Sequence, residues 1–185
     1  DKEDKDNDEL IAVHKSDGRG KVLMCSSMGR MVRFDENYIR VMGRTAAGVK
    51  GITLVNDVCI GMEICSDSDN MVIVTENGYG KKTEVSEFRE TKKGSKGVKA
   101  LNITDKNGKI IAFKIINGDN DILIVTDEGI VIRLSVDSIS QLSRVTQGVR
   151  LINLKKSNKV AAISLVDTSN TEEEVESEVN VQTED

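Results

Sequence analysis

The sequence predicts an all-β fold of about three blades, each a repeated unit of four short antiparallel strands. Three observations carry this. One unit recurs three times, about fifty residues apart. Each copy holds four short apolar runs separated by turn residues. Charge and glycine recur at fixed places inside the unit, so the repeat is not a coincidence of hydrophobicity alone.

The register is set by Gly29, Gly78 and Gly129, which lie 49 and 51 residues apart. Nineteen residues after each stands another glycine: Gly48, Gly97 and Gly148. A hydroxyl precedes each anchor by three (Ser26, Thr75, Thr126), and a large apolar residue follows by ten (Ile39, Phe88, Ile139). Bases follow at offset 4 (Arg33, Lys82, Arg133), offset 15 (Arg44, Lys93, Arg144) and offset 21 (Lys50, Lys99, Arg150).

Within each unit the first strand is the apolar run before the anchor: Val22–Cys25, Met71–Thr75 and Ile122–Thr126. The glycine makes a tight turn. A second strand follows over Met31–Phe34, Tyr79–Thr83 and Ile130–Leu134. After a polar excursion come alternating strands at Val49–Leu54, Val98–Ile103 and Val149–Leu154. Alternation alone leaves open which face of that strand is buried. The fourth strand covers Val58–Ile64, Ile110–Ile115 and Val160–Leu165, and Leu10–His14 resembles one more fourth strand.

The organisation expected is therefore an acidic start with the last strand of a preceding blade (1–16), blade repeats at 17–65, 66–116 and 117–166, and an acidic disordered tail at 167–185. Four-stranded units of this length are propeller blades, which bury their faces only against neighbours. Three do not easily close a ring, so the chain is expected to be incomplete. Trp is absent and aromatics are 3%, which sets aside the tryptophan- and aromatic-marked propeller repeats.

The net charge of −5 hides an asymmetry. Residues 1–9 hold six acids and two lysines, and 167–185 hold eight acids and no base, leaving 17 acids and 24 bases in 10–166. A body of formal charge +7 between acidic ends suits a polyanionic partner. Because the bases belong to the repeat, duplication sets them at equivalent points round the rim. Such an arc suits duplex DNA held by phosphate contacts that carry no sequence information. The candidate DNA-binding residues are Arg33, Arg44, Lys50, Lys82, Lys92, Lys93, Lys96, Lys99, Arg133, Arg144 and Arg150, with Arg30 and Arg40 adding charge.

Met42-Gly43-Arg44-Thr45-Ala46-Ala47-Gly48-Val49-Lys50-Gly51-Ile52 resembles a blade signature of the DNA gyrase A C-terminal domain. So do Val74 to Thr83 and Val145-Thr146-Gln147-Gly148-Val149-Arg150-Leu151, and the similarity runs over about residues 8–166. The resemblance implies a β-pinwheel that wraps duplex DNA round a basic perimeter, with these as the last three blades. It implies service in ATP-dependent negative supercoiling by a bacterial type II topoisomerase, alongside the N-terminal cleavage core and gyrase B. ATP and Mg2+ would act elsewhere in the holoenzyme, in the cytoplasm, without a membrane partner. The chain departs from the family at Glu84, where proline is usual, and Thr91 to Gly97 is a degenerate echo of the family's Gln-Arg-Arg-Gly-Gly-Lys-Gly box. Alternatives are the equivalent domain of topoisomerase IV, which decatenates, and a non-enzymatic protein-binding propeller.

No catalytic constellation, cofactor motif or metal-ligand spacing is read from the sequence. His14 is the sole histidine and is expected in a strand. Cys25, Cys59 and Cys65 lack CxxC spacing and read as free core thiols, and Tyr38 and Tyr79 as packing residues.

Overall fold

The computed structural model describes residues 9–116, 120–155 and 157–168. The first unit supplies β1 (Lys21–Ser26), β2 (Arg30–Asp35) and β3 (Cys59–Cys65). The second supplies β4 (Asn70–Thr75), β5 (Tyr79–Glu84), β6 (Val98–Lys99) and β7 (Ile110–Ile116). The third supplies β8 (Asn120–Thr126), β9 (Val131–Ser135), β10 (Val149–Arg150) and β11 (Val160–Asp167). Each unit also has a short 3-10 turn after its second strand, at Glu36–Tyr38, Val85–Glu87 and Val136–Ser138. The acidic-tail expectation lies outside the described residues beyond Thr168, and Asp167 itself closes β11.

The recurrent hydroxyl and glycine have a common cause. Each anchor glycine has positive φ and donates its N–H to the carbonyl three residues back, at 3.0 Å in Gly29→Ser26, Gly78→Thr75 and Gly129→Thr126. The side-chain oxygens of those hydroxyl residues then accept the N–H after the glycine, from Arg30 at 3.0 Å, Tyr79 at 3.3 Å and Ile130 at 3.1 Å. The hairpin is thus closed twice, which fixes the register of the two strands it joins.

The sheets are ordered β3-β1-β2-β6, β10-β5-β4-β7 and β11-β8-β9, antiparallel throughout. The first two blades take their outermost strand from the following unit: β6 pairs with β2 through Arg30↔Lys99, and β10 with β5 through Tyr79↔Arg150. This exchange corrects two expectations. Residues 49–54 form no strand, and neither do 10–14, because among the described residues no earlier blade offers either an edge. Leu10 and Val13 are accordingly exposed. The expected six-residue third strands shrink to two residues in β6 and β10, since the chain then turns inward at Leu101 and Ile152.

Burial follows from stacking. In β4 the residues Met71 and Ile73 enter the core shared with the first blade, and Val72 and Val74 the core shared with the third. Both faces being covered, Met71 to Val74 is apolar without alternation and fully buried. In β8 only one face has a neighbour, so Ile122 and Ile124 are buried while Leu123 and Val125 stay half-exposed. The open face question of the third strand also resolves: Ile52, Leu101 and Ile152, all at offset 23, are buried.

The fourth strands pack on one another, β3 beside β7 and β7 beside β11, which makes them the hub. At the opposite end of their sheets, β6 and β10 lie outermost.

Candidate nucleic-acid interface

The perimeter is built from the excursions that lead into the outer strands. Residues 91–99 run antiparallel along β2, from Thr91 N–H on the Arg33 carbonyl at 2.7 Å to Ala100 N–H on the Gly29 carbonyl at 2.8 Å. Residues 142–151 follow β5, joining it in an isolated parallel bridge where Leu142 N–H meets the Lys82 carbonyl at 2.8 Å and pairing antiparallel over β10 up to Leu151 on Gly78 at 2.9 Å. Adjacent excursions are stitched together as well. Gly94 N–H donates to Gly51, Thr53 N–H to Ser95, and Asn102 N–H to Thr146. The result is one continuous outer band over 51–53, 91–102 and 142–151.

The glycines at offset 19 allow this close approach. Gly97 and Gly148 have positive φ, and a Cβ on Gly148 would lie 2.7 Å from the Gly80 carbonyl oxygen. A Cβ on Gly97 would overlap the Met31 carbonyl in the same way. Gly48 has the same φ but open space round it, in keeping with the absence of a strand over 49–54.

Eight predicted bases, Arg44, Lys50, Lys92, Lys93, Lys96, Lys99, Arg144 and Arg150, are exposed or half-exposed, and all of them but Arg44 stand on or beside the band. Among the described residues none of the eight forms an ion pair with a carboxylate. Lys99 donates to Asn102 at 2.7 Å, and Arg150 to Tyr79 Oη at 2.9 Å, contacts that orient the side chains without neutralising them.

The offset-4 bases are placed differently, and the first two are tied up between units. Arg33 is buried, its guanidinium donating to the Val85 carbonyl at 3.1 Å and pairing with Asp67 at 3.1 Å. Lys82 makes the equivalent reach to the Val136 carbonyl at 3.5 Å and lies 3.7 Å from Asp137. Both are pins between one blade and the 3-10 turn of the next unit. Arg133 has no following unit to reach among the described residues and pairs with Asp121 in its own sheet. Arg33 and Lys82 thus tie neighbouring units together and lie off the outer band, whereas Arg133 stays exposed.

Two residues stand where the sequence pattern did not place them. Lys81 is fully buried, its ammonium donating to the carbonyls of Ser143 at 2.8 Å and Arg144 at 2.7 Å. Burial lowers its pKa from 10.5 to about 8, with Glu87 opposing and Arg144 reinforcing the shift. The repeat carries a signal for this, because the same column holds Val32 and Ile132 in the other units. Tyr38, expected to pack, is exposed and shares a cleft with Arg89, Lys92 and Lys93. Tyr79 is buried as expected. His14 lies outside any strand, 3.8 Å from Glu63. The cysteines are free, and burial raises all three thiols, Cys65 to about 12.

The family described as DNA gyrase C-terminal domain, beta-propeller, matches residues 20–66, 69–117 and 120–167. The DNA gyrase A protein of Staphylococcus epidermidis is 42% identical over 165 residues, which is 88% of this chain and 18% of that protein. Its counterpart in a Staphylococcus aureus strain is 41% identical over 184 residues, 98% of this chain and 21% of that protein. The chain thus spans about a fifth of the length of the curated relatives it matches. A solved DNA gyrase A C-terminal domain superposes with a TM-score of 0.74 at 24% identity, covering 80% of this chain and 51% of that one. A solved C-terminal domain of DNA topoisomerase IV gives 0.84 at 23% identity, covering 97% and 56%. With three consecutive matches spanning most of its length, one per repeat, the chain belongs to the DNA gyrase A C-terminal domain family.

Proposed function

We propose that the outer band binds and bends duplex DNA, as the wrapping module of a DNA gyrase A protein that supports ATP-dependent negative supercoiling with its N-terminal cleavage core and gyrase B. The observation that carries this reading is the set of seven bases, Lys50, Lys92, Lys93, Lys96, Lys99, Arg144 and Arg150, that stand on or beside the outer band and, among the described residues, pair with no carboxylate. Phosphates spaced along a duplex meet such an arc by charge and by N–H groups, without reading bases. No residue of the band is assigned a catalytic role, a cofactor or a metal.

The solved topoisomerase IV domain gives the higher TM-score, 0.84. At 23% identity that likeness speaks for the fold, and the 41–42% identity to gyrase A proteins outweighs it.

Titration of a long duplex over a series of salt concentrations tests the proposal. The expected result is a linear log–log decline indifferent to sequence, with a slope of about 0.9 per phosphate engaged. K92Q/K93Q/K96Q should flatten that slope by about two to three. Absence of binding by the folded chain at low salt would overturn the reading.

A further inference from the structure

We propose that the cleft between the second and third blades seats one phosphate group of the duplex backbone, beyond the band and at its inner end. The inference rests on the DNA-binding reading. The cleft, about 400 Å³, is lined by Tyr79, Lys106, Arg150, Lys155, Asn158 and Lys159, among others.

Its centre is a tyrosine ring that holds two cations. The Arg150 guanidinium lies 5.4 Å from the Tyr79 centroid and the Lys106 ammonium 5.6 Å. Arg150 is fixed further by donating to Tyr79 Oη from Nε at 3.2 Å and Nη2 at 2.9 Å, and to Asn153 from Nη1 at 3.1 Å. Among the described residues neither Arg150, Lys106 nor Lys155 pairs with a carboxylate, and the nearby acid Glu76 lies 3.7 Å from Lys159. Like charges gathered on one ring repel, and an anion among them removes that repulsion. A guanidinium fork beside flexible ammonium stems suits the several oxygens of a phosphate. Tyr79 is 7% exposed, so its ring cannot stack a base, which leaves an anion as the guest.

Duplication does not account for the set. In the cleft between the first two blades, the column of Lys106 holds Asp57 and that of Lys155 holds Thr104. Asp57 is occupied there with Ser27 at 2.8 Å and the N–H groups of Met28 and Val58 at 3.1 and 2.8 Å. The two lysines are therefore additions particular to the second cleft. Arg150 ends β10, so the cleft continues the outer band, and a phosphate leaving the band reaches it next. That continuity makes the duplex, in preference to a free phosphate, the source.

The test is the same duplex titration on the full chain carrying K106Q/K155Q, with circular dichroism to verify folding. The expected result is weaker binding at low salt and a log–log slope shallower by about one. An unchanged slope, while K92Q/K93Q/K96Q flattens it, would overturn the cleft and leave the band standing. If the unaltered chain binds no duplex, the band reading fails and this one with it. A last arm follows the Tyr79 ring signals by NMR with inorganic phosphate alone. A shift abolished by K106Q/K155Q, with duplex binding unaffected, would mark a free-phosphate site and refute the duplex seat.

Discussion

The guanidinium of Arg33 donates to the carbonyl of Val85 at 3.1 Å, tying the first blade to the 3-10 turn of the second unit. Its other partner, Asp67, is 55% exposed, so that ion pair contributes little. The buried hydrogen bond matters more, because its loss strands a carbonyl. Arg33→Ala should cost about 1–3 kcal/mol, lowering Tm by roughly 2–4 °C per kcal/mol. The salt slope of DNA binding should not move. A flattened slope with Tm intact would return Arg33 to the interface.

Gly148 and Gly48 share a positive φ but not an environment. Gly148→Ala adds a collision with the Gly80 carbonyl to the left-handed penalty, about 1–2 kcal/mol for a residue with a Cβ. Gly48→Ala incurs that penalty alone. Thermal unfolding should therefore rank Gly148→Ala clearly below Gly48→Ala. The first variant should also loosen β10 and weaken DNA binding through Arg144 and Arg150.

Lys81 makes stability depend on pH in a stated direction. Its folded pKa, about 8, lies below the ordinary 10.5, so between those values the unfolded chain binds the extra proton. Stability from this group therefore rises with pH across that window, by at most about 1.4 kcal/mol per pH unit. A neutral amine still donates twice, so the bonds to Ser143 and Arg144 survive deprotonation. Urea unfolding of the native chain and Lys81→Met, at about pH 7 and pH 9.5, should show the native chain gaining on the variant at the higher pH. Parallel behaviour would show that Lys81 does not titrate there.

Thiol reactivity should follow burial. Cys25 and Cys65 are buried with raised thiols, and Cys59 is half-buried. Iodoacetamide near neutral pH should label Cys59 first and leave Cys25 intact until urea is added, read by mass spectrometry. Early labelling of Cys25 would contradict the packing of the first blade.

Most strands were legible because their causes are local. Apolar runs such as Met71–Thr75, a glycine turn and a hydroxyl three residues before it are all within reach of one hairpin. The periodic bases were legible too, and with them the residues of the outer band, since duplication copies columns. What the columns mean was not legible. Arg33 and Lys99 look alike in sequence, yet one is buried against Val85 and the other is exposed on the perimeter.

The sequence by itself determined the repeat, its strand types and the charge of its body. Only the tertiary structure decided that β6 and β10 belong to the preceding blades, that Lys81 lies buried under a neighbouring excursion, and that Lys106 and Arg150 meet over Tyr79. The physical reason is separation along the chain. Strand character depends on the nearest few residues, whereas these contacts join groups 27 to 71 residues apart, and which of them form depends on how whole blades stack.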